Sequence, residues 1–464
     1  MNVRTFRMWL RPGMMIKRWV ALFMIAVILT SLALAMLAAW FYDRYDFPGN
    51  VQELVEWLTL QFIPHPYREL LLLLGGLAIL GYAILRLSHA LISPLLAHDP
   101  SGRAFAEIVN EHRFGPTAPE FNVVALGGGT GLSALLRGLK LANVNLTAIV
   151  TVTDDGGSTG RIRDVFNMPA PGDIRNCLVS LADAESTMGQ LFGYRFDKEG
   201  SELDGHSFGN LFITAMTQVT GSFEQAVIAS AEVLNVRGRV LPSTLENVTL
   251  CAQLADGSVV RGESAIAHES PAIRKIFLEP LRPDAYGPAL AAILNADLIV
   301  LGPGSLYTSV LPNLLIDGVR EAIQWSSGST VYVCNVATQH GETDHFGYAD
   351  HIREIVDYLG EGELDFALVN SNPAAATAIR PEWDVEAVAY DGAARTAENV
   401  EIVARDVVND RNPLRHDPAK LAQVLVALAR SSAGAFTPQN NGSHSGAPLP
   451  SEQLTLREST TAHS

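Results

Sequence analysis

A run of glycines follows an apolar segment at residues 122–126. The segment NVVAL leads into Gly127, Gly128, Gly129, Thr130 and Gly131, and residues 129–134 fit the pattern GxGxx(G/A). Without side chains, such a loop lets a phosphate approach the backbone N–H groups and the positive end of the following helix. Because a strand-like segment precedes it and a helix-like segment follows it, we predict a phosphate-binding loop rather than a merely tight turn. A P-loop is excluded, since no Gly-Lys-Ser or Gly-Lys-Thr follows.

A second glycine-rich loop carries two adjacent carboxylates. In TVTDDGGSTGRIR, residues 151–163, Asp154 and Asp155 stand where a second apolar strand should end. Carboxylates in such a place bind Mg²⁺ or ligand hydroxyl groups, so both are candidates for a metal site and for catalysis. Ser158, Arg161 and Arg163 supply donors suited to an anion. The alternative is a solvated turn with surface charges.

Further polar residues recur at similar positions along the chain. In PGDIRN, Asp173 either faces a ligand or caps a helix. LGPGS follows an apolar segment and forms a second candidate anion loop, in which Ser305 either binds the ligand or caps a helix. The carboxyl ends of parallel strands meet at one edge of a sheet, and the crevice there is the natural ligand site. The residues predicted there are Asp173, Arg175, Asn176, Gly302, Gly304, Ser305 and Asn335.

Histidines offer weaker signals. His206, in DGHSFGN with Asn210, could act as a general base, but no Ser or Cys nucleophile with elbow geometry accompanies it. A structural or ligand-contacting role is the safer interpretation for both residues. The His, Asp and Glu residues at 340–351 could build a metal site, but they match no zinc-binding spacing and are interpreted as a polar loop that leads into a helix. Catalytic candidates are therefore limited to Asp154, Asp155 and His206.

Apolar strand-like runs alternate with helix-like segments, which predicts a Rossmann-like, mostly parallel α/β sheet with helices on both faces. An Asp256-Gly257 turn within residues 246–266 predicts an accessory hairpin at the edge of this sheet. The predicted strands are 121–126, 146–152, 297–301, 329–334 and 365–369. The predicted helices begin after Gly131 and near Ile174, Ser207, Ser222, Asp284, Leu311 and Ala349.

The N-terminal region has a different character. Residues 19–42 contain no charge and are long enough to cross a bilayer, and a second apolar run covers 70–92. A cleaved signal peptide is the competing interpretation, but the first run is far longer than an h-region. Basic residues precede it and acidic residues dominate the intervening loop, so the positive-inside rule places both termini and the main domain in the cytoplasm.

The composition limits the partners, the cellular compartment and the domain organisation that we predict. The formal net charge of -16 disfavours nucleic acid as a partner, and three cysteines without a CxxC pair fit a reducing cytosol. The segment 93–120 is rich in Pro and Gly and suits a linker, while the Ser-, Thr- and Asn-rich end is typical of a disordered tail. The predicted organisation is a cytoplasmic N-terminus (1–18), a transmembrane hairpin (19–92), a linker (93–120), an α/β domain (121–430) and a tail (431–464).

Several motifs together resemble those of the gluconeogenesis factor family, within the superfamily of 2-phospho-L-lactate transferase-like proteins. The motifs are GGGTGLS, TVTDDGGSTGRIR, PGDIRN, HSFGN, ADLIVLGPGSLYTSVLPNLL and CNVATQHGET, which lie in this order within residues 121–430. His340 stands where the family loop commonly has Pro, so the geometry of that loop cannot be carried over. The N-terminal hairpin and the tail lie outside the resemblance.

The resemblance implies a Rossmann-like core, usually a dimer, in which the first glycine-rich loop and the aspartate pair line the pocket. It further implies binding of UDP-sugars such as UDP-N-acetylglucosamine, with an influence on central carbon metabolism and cell shape. Relatives in the transferase branch instead move a phospholactyl group onto a deazaflavin alcohol.

Three functional hypotheses follow. The first is a membrane-anchored, nucleotide-sugar-binding regulator, which needs a phosphate-binding loop and no nucleophile. The second is a Mg²⁺-dependent transferase in which Asp154 or Asp155 holds the metal and the glycine loops orient a diphosphate. The third is a scaffold with a vestigial pocket, against which the intact Gly and Asp motifs argue. Turnover with Mg²⁺ separates the second from the first.

Overall fold

An eight-stranded sheet runs through the main body of the chain, in the order β10-β11-β9-β8-β7-β1-β2-β3. All neighbouring strands are parallel except β10 and β11, which confirms the predicted α/β class. The strands are β1 Phe121–Gly127, β2 Val144–Val150, β3 Arg239–Pro242, β7 Leu298–Leu301, β8 Ser329–Val333, β9 Phe366–Asn370, β10 Thr396–Ala397 and β11 Val400–Arg405.

The computed structural model describes residues 119–183, 185–197, 200–266, 272–392 and 396–435, with scattered positions between 27 and 82. Within these residues, no helix is both long enough and apolar enough to cross a bilayer. The predicted spans 19–42 and 70–92 lie almost wholly outside the described residues, as do the predicted N-terminus and nearly all of the linker. Of the predicted tail, residues 431–435 continue the last helix.

Helices cover both faces of the sheet, as the alternating pattern predicted. Along β1, Val123 and Ala125 face one hydrophobic core and Val124 and Leu126 face the other, because successive side chains of a strand point to opposite faces. The helices are α1 Gly129–Leu139, α2 Gly157–Phe166, α3 Pro171–Leu181, α4 Glu185–Gly193, α5 Phe208–Thr220, α6 Phe223–Val233, α7 Glu263–Ile266, α8 Gly287–Leu294, α9 Leu311–Leu314, α10 Val319–Trp325, α11 Tyr348–Leu359, α12 Ala374–Ala378 and α13 Pro418–Ala435, with a π-helical turn at Leu306–Val310 and a 3-10 turn at Pro381–Trp383.

Local capping chemistry explains why several helix starts were predictable. The hydroxyl of Ser207 accepts a hydrogen bond from the Asn210 N–H at the start of α5. Ser222 does the same for the Gln225 N–H at the start of α6. Such capping satisfies backbone donors that have no partner within the helix. By contrast, the sequence predicts a glycine-rich loop after Asp155, whereas the structure forms α2 there from Gly157 onward.

The predicted hairpin forms, but not at the edge of the main sheet. Strands β4 (Thr249–Leu254) and β5 (Val259–Arg261) are antiparallel and flank a turn in which Gly257 has a φ of 85°. Strand β6 (Ile273–Glu279) pairs with the other side of β4, so the three strands make a separate antiparallel sheet. The prediction of its position was wrong because β6 was not foreseen. We call this unit the accessory sheet.

The strand order fixes where a ligand can bind. From β1 the chain builds β2 and β3 on one side, and it later returns to place β7, β8 and β9 on the other side. The helices that follow β1 and β7 therefore leave in opposite directions, which opens a crevice at the carboxyl ends of these two strands. A two-stranded hairpin, β12 (Val408–Asn409) with β13 (Asn412–His416), lies next to α1.

Candidate ligand-binding cavity

A cavity of about 600 Å³ opens at the carboxyl ends of β1 and β7. Its size lies within the range usual for ligand pockets. Among the residues predicted for the site, those that line the cavity are Gly128, Gly129, Thr130, Gly131, Asp154, Asp173, Asn176, Gly304, Ser305 and Asn335. The predicted residues that do not line it are Gly127, Asp155, Ser158, Arg161, Arg163, Arg175, His206, Asn210 and Gly302.

The first glycine loop needs its glycines because other groups lie directly against them. A Cβ on Gly128 would stand 2.5 Å from the Oδ2 atom of Asp173, and one on Gly131 would stand 2.5 Å from the carbonyl oxygen of Pro303. Gly129 has a φ of 59°, in the left-handed region that favours glycine. The loop leads directly into α1, so the positive end of that helix lies at the cavity wall.

The two adjacent aspartates have different surroundings. The Oδ1 atom of Asp154 accepts a hydrogen bond from the Gly156 N–H at 2.8 Å, and this residue lines the cavity. The Oδ1 atom of Asp155 accepts one from the Ser264 N–H at 2.9 Å, which ties it to α7, the helix that follows β5 of the accessory sheet. Asp154 is thus the member of the pair placed to contact a ligand or Mg²⁺. Asp155 instead contacts the backbone of the same chain at Ser264.

Three carboxyl groups line the cavity and interact electrostatically with one another: Asp154, Asp173 and Glu263. Burial, and then the charge of Asp154, raise the pKa of Asp173 to about 6, although the Gly129 N–H donates a hydrogen bond to it. Burial, followed by the charges of Asp173 and Asp154, raises the pKa of Glu263 well above its ordinary value. We call these three residues the acidic wall. Over the described part of the chain, no group of three or more His, Cys, Asp or Glu side chains is arranged to hold a metal ion.

The second glycine loop binds a carboxyl group of the protein itself, that of Glu342. The hydroxyl of Ser305 donates to the Oε1 atom of Glu342 at 2.9 Å, and the hydroxyl of Thr308 donates to the same atom at 3.2 Å. Backbone N–H groups of Tyr307 and Thr308 also donate to this carboxyl. Glu342 therefore sits at the start of the π-helical turn, where an external anion would otherwise bind. The loop presents Gly304 and Ser305 to the cavity.

An amide side chain connects this loop to the next strand end. The Nε2 atom of Gln339 donates to the Ser305 hydroxyl at 2.6 Å, and the Nδ2 atom of Asn335 donates to the Oε1 atom of Gln339 at 3.3 Å. Ser305, Asn335 and Gln339 all line the cavity. This side of the cavity is therefore neutral and rich in hydrogen-bonding groups.

Several of the predicted anion-binding residues instead hold the framework together. Arg163 is buried and donates to the carbonyl oxygens of Thr153, Asp154 and Val248. Burial lowers its pKa. The Arg161 guanidinium donates to the carbonyl oxygen of Asp204 at 2.7 Å. These arginines fix the loop that carries Asp154, and their contacts are with protein groups rather than with the cavity.

A second network surrounds His206. Its Nδ1 atom lies 3.2 Å from the Ser158 hydroxyl, a partner that the sequence did not indicate. The same hydroxyl accepts hydrogen bonds from the Ser207 N–H and the Asn210 amide, so its own proton points to His206. Ser158 is only 2% exposed and does not line the cavity, so its hydroxyl does not face a ligand bound there. Arg175 donates to Ser207 and Asn210 and completes the network.

Other cavity residues were not foreseen, because no local motif marks them. Glu263 comes from the start of α7, and Arg415 comes from β13. Arg415 donates to the Thr130 hydroxyl and is the cationic side chain among the described residues that line the cavity. Its neighbour His416 is buried, and burial lowers the pKa of His416 to about 4, so this imidazole is neutral. The remaining unforeseen lining residues include Gln339, Val385, Asn412 and Leu414.

Comparison with known proteins defines the class first. The sequence profile of the family described as 2-phospho-L-lactate transferase CofD matches residues 123–408. A solved structure of a UPF0052 family member from Bacillus halodurans superposes with a TM-score of 0.63 at 44% identity, over 66% of this chain and 100% of that chain. The fold is therefore that of this class.

Individual relatives narrow the assignment. The gluconeogenesis factor of Bacillus subtilis strain 168 is 45% identical over 312 residues, covering 66% of this chain and 98% of the relative. A protein of Nostoc sp. strain PCC 7120 named "Putative gluconeogenesis factor" is 43% identical over 429 residues, covering 90% of this chain and 91% of the relative. The chain belongs to the gluconeogenesis factor family, within the wider CofD-like group.

Proposed function

We propose that this protein is a nucleotide-sugar-binding regulator whose ligand, a UDP-sugar, occupies the cavity between the two glycine loops. The observation that carries the proposal is the mixed lining of the cavity. The lining includes the backbone of Gly128–Gly131, the guanidinium of Arg415 and neutral amide side chains, together with the three carboxyls of the acidic wall. A nucleotide sugar likewise combines a dianionic diphosphate with a hydroxyl-rich, uncharged sugar.

The diphosphate is assigned to the first glycine loop. Backbone N–H groups at the start of α1 and the guanidinium of Arg415 both favour an anion. Arg415 already contacts Thr130 of this loop, so its side chain is within reach of a phosphate bound there. The sequence prediction of a phosphate-binding loop is thereby supported by a cation that the sequence motif did not include.

A regulatory role is favoured over catalysis by the chemistry of the nucleophilic groups. The cysteines are buried, and burial raises the pKa of the Cys177 thiol well above its ordinary value. The Ser158 hydroxyl, next to His206, is sealed from the cavity. The alternative is a Mg²⁺-dependent transferase, because the matching family is named for a transferase activity and Asp154 could hold the ion with a diphosphate. In that case an acceptor hydroxyl, not a protein nucleophile, would attack phosphorus.

The cellular setting is part of the same proposal. Relatives are named gluconeogenesis factors, which supports a role in central carbon metabolism, and a role in cell shape rests on the resemblance alone. The apolar runs 19–42 and 70–92 support anchoring in the cell membrane, with the α/β domain and both termini in the cytoplasm. A homodimer is expected from the resemblance, and no nucleic-acid partner is proposed.

Calorimetric titration of the full chain in detergent with UDP-N-acetylglucosamine tests this function, with and without Mg²⁺. Saturable binding without product formation is the expected result. GDP with a deazaflavin alcohol serves as the comparison, since a preference for this pair with turnover would move the protein to the transferase branch. Absence of binding to either set would favour a scaffold with a vestigial pocket and would contradict the proposal.

A further inference from the structure

The acidic wall is assembled from two parts of the molecule. Asp154 follows β2, and Asp173 lies in the first turn of α3, so both belong to the main α/β body. Glu263 belongs to the short helix α7 that follows β5. Of the described residues in the accessory sheet and its connections, Glu263 is the one that lines the cavity. The connection between β5 and β6 of the accessory sheet therefore contributes a single, acidic side chain to the site.

Asp155 fixes the turn that delivers Glu263. Its Oδ1 atom accepts a hydrogen bond from the Ser264 N–H at 2.9 Å, directly after Glu263. Its Oδ2 atom lies against the Cα of Gly262, so closely that a Cβ there would overlap it. Gly262 has a φ of 96° and donates its N–H to the carbonyl oxygen of Leu250 at 2.8 Å. The backbone on both sides of Glu263 is thus held by contacts that leave little freedom.

The carboxyl of Glu263 has unused hydrogen-bonding capacity. Its Oε2 atom is buried and has no hydrogen-bond partner among the described residues, although the residue as a whole is half-buried. A buried polar atom without a partner is costly, and a ligand group that satisfies it gains the corresponding free energy on binding. The charges of Asp173 and Asp154 act on this carboxyl and disfavour a phosphate beside it, so the ligand group that fits here is an uncharged hydrogen-bond donor.

We propose that Glu263 recognises the sugar portion of the ligand by accepting hydrogen bonds from its hydroxyl or amide N–H groups, and that Asp155 is the positioning residue for Glu263. This inference rests on the proposed function, because it assumes a nucleotide sugar whose diphosphate lies at the first glycine loop. It separates the paired aspartates into one that faces the ligand and one that acts through a residue more than a hundred positions further along the chain.

The test is the preference of the full-length protein for UDP-N-acetylglucosamine over UDP, measured by calorimetry. Glu263→Ala is expected to reduce this preference at least tenfold, mainly through weaker binding of the sugar nucleotide. Glu263→Gln keeps an acceptor oxygen and is expected to restore most of the preference. Asp155→Ala should reproduce the loss through displacement of Glu263, and Asp155→Asn should rescue it. Glu401→Gln, at an exposed position of β11, is the matched control and should behave as the wild type.

The outcomes separate the two proposals. A wild type that binds neither nucleotide overturns the proposed function and this inference with it. A wild type that prefers the sugar nucleotide, with a preference that Glu263→Ala leaves intact, overturns only the inference. The preference for the sugar nucleotide could also disappear when EDTA is added to the wild type and be absent from Glu263→Gln. That combination would show that the Glu263 carboxyl binds a cation, and it would overturn the inference. Melting temperatures of all variants identify any loss that comes from unfolding.

Discussion

The two glycine-rich loops look alike in sequence but differ in the structure. Each follows a central parallel strand, and each has a buried carboxyl that accepts backbone N–H groups at the start of the next helical segment. At the first loop this carboxyl is Asp173, which lines the cavity. At the second loop it is Glu342, which lies behind Ser305 and does not line it. A glycine-rich motif therefore shows where the backbone comes close to other groups, and the surrounding fold decides whether the carboxyl beside it lines the cavity or lies behind the loop.

The loops also touch each other. Gly131 packs against the backbone of Pro303 and Gly304, which places the two strand ends within van der Waals contact across the crevice. The Glu342 carboxyl can thus hold the second loop rigid while the first loop binds the ligand. The following predictions test this division of roles.

The largest effect is expected from Gly131→Ala. The new Cβ would stand 2.5 Å from the Pro303 oxygen and 2.8 Å from the Gly304 Cα, both backbone atoms that cannot move aside cheaply. We expect a loss of about 1–3 kcal/mol in the free energy of unfolding, and a loss of ligand affinity of at least a hundredfold by calorimetry. Gly193→Ala, where a Cβ meets no atom within 4 Å, is the control. Equal affinities for the two variants would show that the loops do not form the binding site together.

A smaller effect on binding, but a clear one on stability, is expected from Glu342→Ala. Ser305 and Thr308 would lose a shared acceptor, and backbone donors would be left without a partner. The free energy of unfolding should fall by about 1–3 kcal/mol in chemical denaturation. Affinity for the nucleotide sugar should change less than in Gly131→Ala. If affinity instead collapses while stability is kept, the second loop is itself a ligand-binding element.

The smallest effect is a pH dependence at the first loop. The pKa of Asp173 is raised to about 6, so this group takes up a proton as the pH falls through that value. Loss of its charge should strengthen binding of UDP several-fold between pH 7.5 and 5.5, because a neutral carboxyl does not repel the phosphates. Asp173→Asn should bind with little pH dependence over this range. A wild-type affinity that falls as the pH is lowered would contradict this role for Asp173.

The same group gives a stability signature with a defined sign. Because the folded state holds the proton of Asp173 more tightly than the unfolded state, its contribution to the free energy of unfolding declines as the pH rises from about 4 to about 6 and is then constant. Relative to the wild type, Asp173→Asn should therefore gain stability between pH 4 and pH 7. Thermal unfolding of the two proteins at these pH values measures the difference. An identical pH profile would place the titrating group elsewhere.

The sequence was informative where local patterns decide the structure. Apolar runs predicted β1 and β7, the starts of α5 and α6 were predicted near the serines that cap them in the structure, and the glycine loop predicted the edge of the sheet where the cavity lies. The sequence did not predict site residues whose position depends on contacts with distant segments of the chain. Nothing near Glu263 or Arg415 marks a site, since each reaches the cavity through contacts with residues far away in the chain. The glycines at 156–160 are typical of a loop, so the sequence did not predict α2. In the structure this helix is stabilised by the buried hydrogen bonds of Arg163 to distant residues.

One ion pair has a practical consequence. Arg430, in α13, lies 2.8 Å from Glu120, the residue just before β1. The end of the last helix and the start of the first strand therefore meet at the amino edge of the sheet, opposite the cavity. A fluorescent protein, an affinity tag or a solid support joined at either end of the α/β body would sit on the far side from the ligand. Immobilised protein should accordingly keep its cavity accessible whichever end is used for attachment.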